Sequence, residues 1–319
     1  AVFPFIFPNH VYTGLVIGTV IFSASSGFNE VLANPLILSI PSDNPDKEIS
    51  KLHAVYPWGV VGVIIVGTAF LFFVGSGNWQ WLAMLFLIIP ITSTALFFST
   101  DMPEIETPQK ASGIAALLKN KMLWLCVAAI FFGGAAEMIM TQWCSAYLEK
   151  SMGIPKIWGD LLGMAIFALF LGLGRTLYTA RGKNISRVLI LGSAGAFLCY
   201  ITTAFTSNAI IGIIACVFTG FCVSMLWPGS ILVSSEHFSS GGVFVFAMMA
   251  SGGDLGAALG PQLLGTVTDK AMTIPAVCEL ATQLSLTTEQ LSMKIGILSG
   301  AIFPLLAIPF MWAITRKQK

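Results

Sequence analysis

The sequence has 319 residues, of which 56% are hydrophobic and only 10% charged, against about 25% charged in an average soluble domain. This composition excludes a soluble globular protein, and sixteen Lys/Arg against fifteen Asp/Glu, a net charge of +1, exclude the basic field that nucleic-acid binding demands. The six cysteines (Cys126, Cys144, Cys199, Cys216, Cys222 and Cys278) form no C-x-x-C pair, and five sit in apolar runs, so they read as small hydrophobes and not as a disulfide framework or a metal site.

A bilayer core about 30 Å thick takes about 20 apolar residues per helix. Nine stretches meet that length, at about 11–40, 54–75, 79–99, 122–148, 158–178, 188–206, 209–233, 243–267 and 294–315. The runs are continuous and not alternating, so the expected fold class is an all-α polytopic membrane protein rather than a β-barrel. Between the third and fourth stretches, residues 100–121 carry Asp101, Pro103, Glu104, Glu106 and Pro108 and then a short Ala/Leu/Lys segment, which reads as a linker between a first bundle at 1–99 and a six-helix bundle at 122–319. If the C-terminal tail is cytoplasmic, that side carries twelve Lys/Arg and the other only Lys150, Lys156, Lys270 and Lys294, which sets the expected orientation.

A parallel echo runs through the chain. Ser26-Gly27-Phe28 followed by Asn34-Pro35 recurs as Thr219-Gly220-Phe221 followed by Trp227-Pro228, at an offset of 193 residues. Three spans precede the second copy within its bundle, and none precedes the first. The sequence also opens at Ala1, on residues to Pro8 that read like the tail of an apolar helix. The expectation is therefore a twelve-span protein of which these are the last nine, with about 80 residues preceding them.

These features, with the segments Gly27-Phe28-Asn29-Glu30-Val31-Leu32-Ala33-Asn34-Pro35, Leu52-His53-Ala54-Val55-Tyr56-Pro57-Trp58-Gly59, Gly134-Ala135-Ala136-Glu137 with Trp143 and Tyr147, and Gly252-Gly253-Asp254-Leu255-Gly256 with Leu259-Gly260-Pro261, resemble the major facilitator superfamily, in particular its fucose-permease-like sugar:proton symporters. The resemblance covers the chain as that fold's helices four to twelve. It implies a role in proton coupling for Glu30, the membrane acid on helix four, and it makes Arg175, ahead of Arg181-Gly182-Lys183, the weaker second copy of the superfamily's basic loop motif. The helix-five position that carries an amide in fucose permeases is Tyr56 here, a departure in the solute contacts.

The residues themselves point the same way. A carboxylate at mid-bilayer costs about 2.5–3.5 kcal/mol even on insertion scales, so it must face a cavity, pair, or carry a proton. Ser23, Ser26, Glu30 and Asn34 recur at spacings of three and four and form a polar stripe on one face of the first span. Glu30 on that stripe is expected to exchange a proton with one side and then the other. Glu137 repeats the pattern on the fourth span, beside Gly133 and Gly134, which admit a close helix. Trp143 and Trp227 are expected as aromatic walls and Asp254 as a third acid; with Asn34, Tyr56 and Glu137 they make the expected solute site. His53 is a titratable neighbour near a span end. Glu236 is expected to pair with Arg175 or Arg181 as a cytoplasmic gate. Pro35, Pro57, Pro228, Pro261 and Pro304 each free a backbone carbonyl within or at the end of a span.

The expected function is a proton-coupled secondary transporter, monomeric in a cell inner membrane, that carries a small polar solute, a sugar first among them, by alternating access. Proton-driven export of drugs or metabolites and solute sensing without transport are the alternatives. No cofactor or metal is expected, and no enzyme: three scattered histidines and a single mid-span Asp offer no Ser/His dyad, metal pair or paired aspartates.

Overall fold

A computed structural model describes residues 3–103, 111–238 and 242–316. Glu104, Glu106, Pro108 and Lys110 of the expected linker lie outside the described residues, as does Ala1. Among the described residues there are nine helices long and apolar enough to cross a membrane, and no strand. We number them α1 (Val11–Ser39), α2 (Lys47–Val74), α3 (Ser76–Phe98), α4 (Lys121–Met152), α5 (Lys156–Arg181), α6 (Ile185–Phe205), α7 (Ala209–His237), α8 (Gly242–Thr273) and α9 (Thr288–Thr315).

The helices outrun the apolar stretches because polar caps start and stop them beyond the oil. The turn that leads into α2 begins at Asn44, whose Oδ1 accepts from the Lys47 N–H at 3.0 Å, with Pro45 in the first turn, well ahead of the start near residue 54 that hydropathy predicts. A capping box does the same for α9: Thr287 Oγ1 accepts from Gln290 N–H at 3.1 Å and Gln290 Oε1 accepts from Thr287 N–H at 2.9 Å. The early start places Lys294 inside α9, where its long side chain reaches back to the Thr206 carbonyl at the end of α6. Gly153, at φ +69°, closes α4 in the left-handed conformation that glycine adopts without strain. Two short helices lie between spans, Ala111–Leu118 before α4 and Pro275–Gln283 between α8 and α9.

The packed core is built by α4–α9 around Leu123, Ile130, Tyr147, Tyr200, Leu226 and Met249. Only 6%, 6% and 0% of the apolar windows of α1, α2 and α3 are buried, against 33–61% in the last six spans. Phe22, Phe28, Phe72 and Phe73 on α1 and α2 point outward, a placement that hydrocarbon accepts and water would penalise. The first three spans join the rest where α2 packs on α5 and α7 and α1 packs on α8. Four of the described spans depart from ideal geometry, α3 among them, which breaks at Leu87 ahead of Pro90. α5 opens with a π-helical segment at Gly159–Ala165, α7 breaks at Ser224–Met225 ahead of Pro228, and α9 breaks at Ala301 ahead of Pro304.

Candidate functional site

The polar stripe of α1 faces inward from Ser26 onward, in the C-terminal half of the helix, and Ser23 is left outside the cavity. Ser26, Glu30 and Asn34 line a cavity of about 420 Å³, joined there by Asn29 one position around the helix. The opposite walls bring His53 and Tyr56 from α2, Glu137 from α4, Arg175 from α5, Trp227 from α7 and Asp254 from α8. Six helices thus contribute polar or aromatic groups to one hollow, and seven residues expected at functional positions (Glu30, Asn34, Tyr56, Glu137, Arg175, Trp227 and Asp254) meet in it. The two aligned repeat positions, Asn34 and Trp227, both reach the cavity, from opposite sets of spans.

Arg175 organises one wall. Its Nη2 lies 2.8 Å from each carboxylate oxygen of Glu137, and the two side chains are 4% and 5% exposed, which makes this a buried ion pair. The guanidinium stands 5.7 Å from the centre of the Tyr56 ring. His53 Nε2 donates to Asn34 Oδ1 at 3.0 Å, and Asn34 Nδ2 donates to the Glu30 carbonyl at 3.2 Å, so polar contacts run from α2 across to the stripe of α1. Among the described residues no Lys or Arg pairs with Glu30 or Asp254, and the indole of Trp227 comes within reach of the Glu30 carboxyl. Three carboxyl groups therefore share a cavity with one guanidinium.

Glycines decide where Trp227 sits. A Cβ on Gly134 of α4 would lie 2.8 Å from the Trp227 ring and one on Gly253 of α8 would lie 2.4 Å from it. The indole is gripped between two bare backbones, and neither position has room for a side chain. Gly253→Ala is accordingly expected to cost about 1–3 kcal/mol through overpacking, read as a lowered Tm of the purified protein in detergent. An unchanged Tm would show that the slot has slack.

Two expectations are corrected by position. Trp143 does not line this cavity. It lies six residues beyond Glu137, a rotation of about 240° at 100° per residue, and so faces another side of α4. There it packs on Gly265 and lines a separate cleft of about 360 Å³ with Gln142, Gln262 and Asp269; the cleft shares Ala257 with the central cavity. Arg175 is not placed beside Glu236, the partner expected for it. It lies six residues, or about 9 Å, deeper in α5 than Arg181, and is committed to Glu137. Glu236 instead lines a surface groove with Lys47 and Lys183, while the exposed Arg181 is not part of that groove's lining.

A sequence model of the Major Facilitator Superfamily matches residues 1–261. The chain belongs to this superfamily. It superposes on a crystal structure of the superfamily transporter FucP in the outward conformation with a TM-score of 0.70 at 14% identity, covering 97% of this chain and 77% of that one. A variant of the E. coli fucose:proton symporter FucP gives 0.65 at 14% identity with the same coverage. A bacterial homologue of the human lysosomal transporter Spinster, inward-facing and occupied, gives 0.53 at 15% identity over 89% of this chain and 73% of that one. No curated protein matches the chain in sequence. At these identities the likeness is one of fold: this superfamily member is a multi-pass membrane protein with the major facilitator architecture, in which nine helices are seen among the described residues.

Proposed function

We propose that this superfamily member is a proton-coupled secondary transporter of a small polar solute, a sugar first among candidates, which moves by alternating access at the cavity between the first three and the last six spans. The observation that carries this reading is the convergence of Glu30, Glu137 and Asp254 on one hollow with a single cation, Arg175, already committed to Glu137. Two carboxyl groups remain facing the hollow without a fixed counter-charge. Such groups, in a low-dielectric surround, can pass a proton to and from water as access alternates. Asn29, Asn34 and Tyr56 supply hydroxyl and amide groups of the kind that hydrogen-bond a polyol, and Trp227 supplies a flat apolar face for a sugar ring. The fucose:proton symport of FucP, a neighbour in fold, agrees with this reading.

In this scheme Glu30 is the proton carrier. Asn34, Tyr56, Glu137, Trp227 and Asp254 contact the solute, Trp143 borders an approach cleft, and Arg181 and Glu236 lie at the mouth on the C-terminal side, which we assign to the cytoplasm of a cell inner membrane. Residues 1–99 form part of a first bundle, 100–121 a linker and 122–319 a second bundle. Chemistry on the solute is not part of the scheme.

The test is flux in proteoliposomes holding the full-length protein, with a panel of radiolabelled neutral sugars. Uptake that runs uphill under an inward proton gradient is the expected outcome. Extrusion under the same gradient would replace symport by export, and binding without any flux would make the protein a sensor.

A further inference from the structure

Pro57 and Pro228 each lack the N–H that an α-helix would supply to the carbonyl four residues earlier. The carbonyls left without a helical partner are those of His53 in α2 and Ser224 in α7. In a membrane interior such groups must be satisfied by a neighbour. Both are satisfied by the same side chain. Arg175 Nη1 donates to the His53 carbonyl at 3.1 Å and Arg175 Nε donates to the Ser224 carbonyl at 2.9 Å, while Nη2 holds Glu137. His53 belongs to the first three spans; Arg175, Ser224 and Glu137 belong to the last six. A second side-chain hydrogen bond between α2 and α5 is long, from Trp58 Nε1 to Thr176 Oγ1 at 3.4 Å.

We propose that Arg175 is the tie between the two sets of spans: a positioning residue that caps both proline-freed carbonyls at once, holds α2 against α5 and α7, and lets go of His53 when the C-terminal side of the cavity opens. The planar fork of a guanidinium is what the task needs, since its nitrogens point to three acceptors held in three different helices. Glu137 fixes the charged end so that the remaining donors are aimed. The released His53 carbonyl meets water only when that side is open, so the tie breaks where its loss is compensated. None of this depends on which solute or ion is carried, and its test reads distances and not flux.

The experiment places spin labels at Lys47 and Lys183, which line the groove on that side of the membrane. It uses the full-length protein in lipid nanodiscs, with the partly exposed Cys222 and Cys278 replaced by Ser. Arg175→Lys keeps the charge beside Glu137 but cannot reach all three acceptors. It is expected to raise the population with the longer label-to-label distance by about threefold or more. Pro57→Ala restores the N–H that His53 lacks, so the tie becomes redundant: the single variant also lengthens the distance, and Arg175→Lys then adds little on the Pro57→Ala background. An Arg175→Lys shift of equal size with and without Pro57, or no shift at all, overturns the proposal. If Arg175→Lys yields no folded protein, Pro57→Ala alone decides, and an unchanged distance distribution overturns it.

Discussion

Arg175→Ala is expected to destabilise the protein by about 3–5 kcal/mol, the usual penalty for removing one partner of a buried ion pair. The loss has identifiable parts. Glu137, whose side chain is 5% exposed, is left without its counter-charge, and the carbonyls of His53 and Ser224 lose their donor. Thermal unfolding of the purified protein in a mild detergent reads the effect as a drop in Tm. The double variant Arg175→Ala with Glu137→Gln removes the stranded charge and should therefore be more stable than Arg175→Ala alone, a coupling that a double-mutant cycle isolates. It should not regain the parent's stability, because the two carbonyls stay uncapped. A single variant as stable as the parent would show that the pair does not hold the fold together.

The second large effect is functional. Glu30→Gln replaces the carboxyl by an amide of nearly the same shape that cannot take up a proton. With one-to-one coupling, a pH step of one unit corresponds to about 1.4 kcal/mol and sustains at most a roughly tenfold solute gradient. In proteoliposomes the variant should bring labelled solute only to equality across the membrane while it still exchanges solute in counterflow, because the path remains and the coupling is gone. Glu30 shares the cavity with Asp254, Glu137, Arg175, His53, Tyr56 and Trp227. Asp254→Asn in the same assay is the control, and should alter solute affinity while uphill uptake survives. Uphill uptake by Glu30→Gln would remove Glu30 from the coupling step and leave Asp254 as the candidate.

The spans were legible in the sequence because bilayer thickness imposes a length that few other constraints imitate. Their ends were not, because caps such as Asn44 and Thr287 act beyond the apolar run. Glu30 and Asn34 were readable as cavity residues since a helical stripe of polar groups in oil has one sensible direction to face. Trp143 was misplaced because spacing fixes a residue's angle on its own helix and says nothing of which helix stands opposite. Arg175 was read as a loop charge, although two clues pointed inward: it lies inside the apolar stretch 158–178 and not beyond it, and two prolines elsewhere leave carbonyls in need of a donor. Joining those clues requires knowing that residues 53, 175 and 224 converge, a tertiary fact that no local pattern contains.

The glycine slot around Trp227 has a consequence for how such a protein diversifies. That wall is rigid and already full: a larger neighbour collides with the ring, and a smaller residue at 227 opens a void between α4 and α8. Across the hollow, Asn29 and Tyr56 face the cavity from α1 and α2, outside the packed core that α4–α9 build. New cargo preferences should therefore arise by exchange of residues on α1 and α2, with the tryptophan side serving as a fixed anvil against which different molecules are measured.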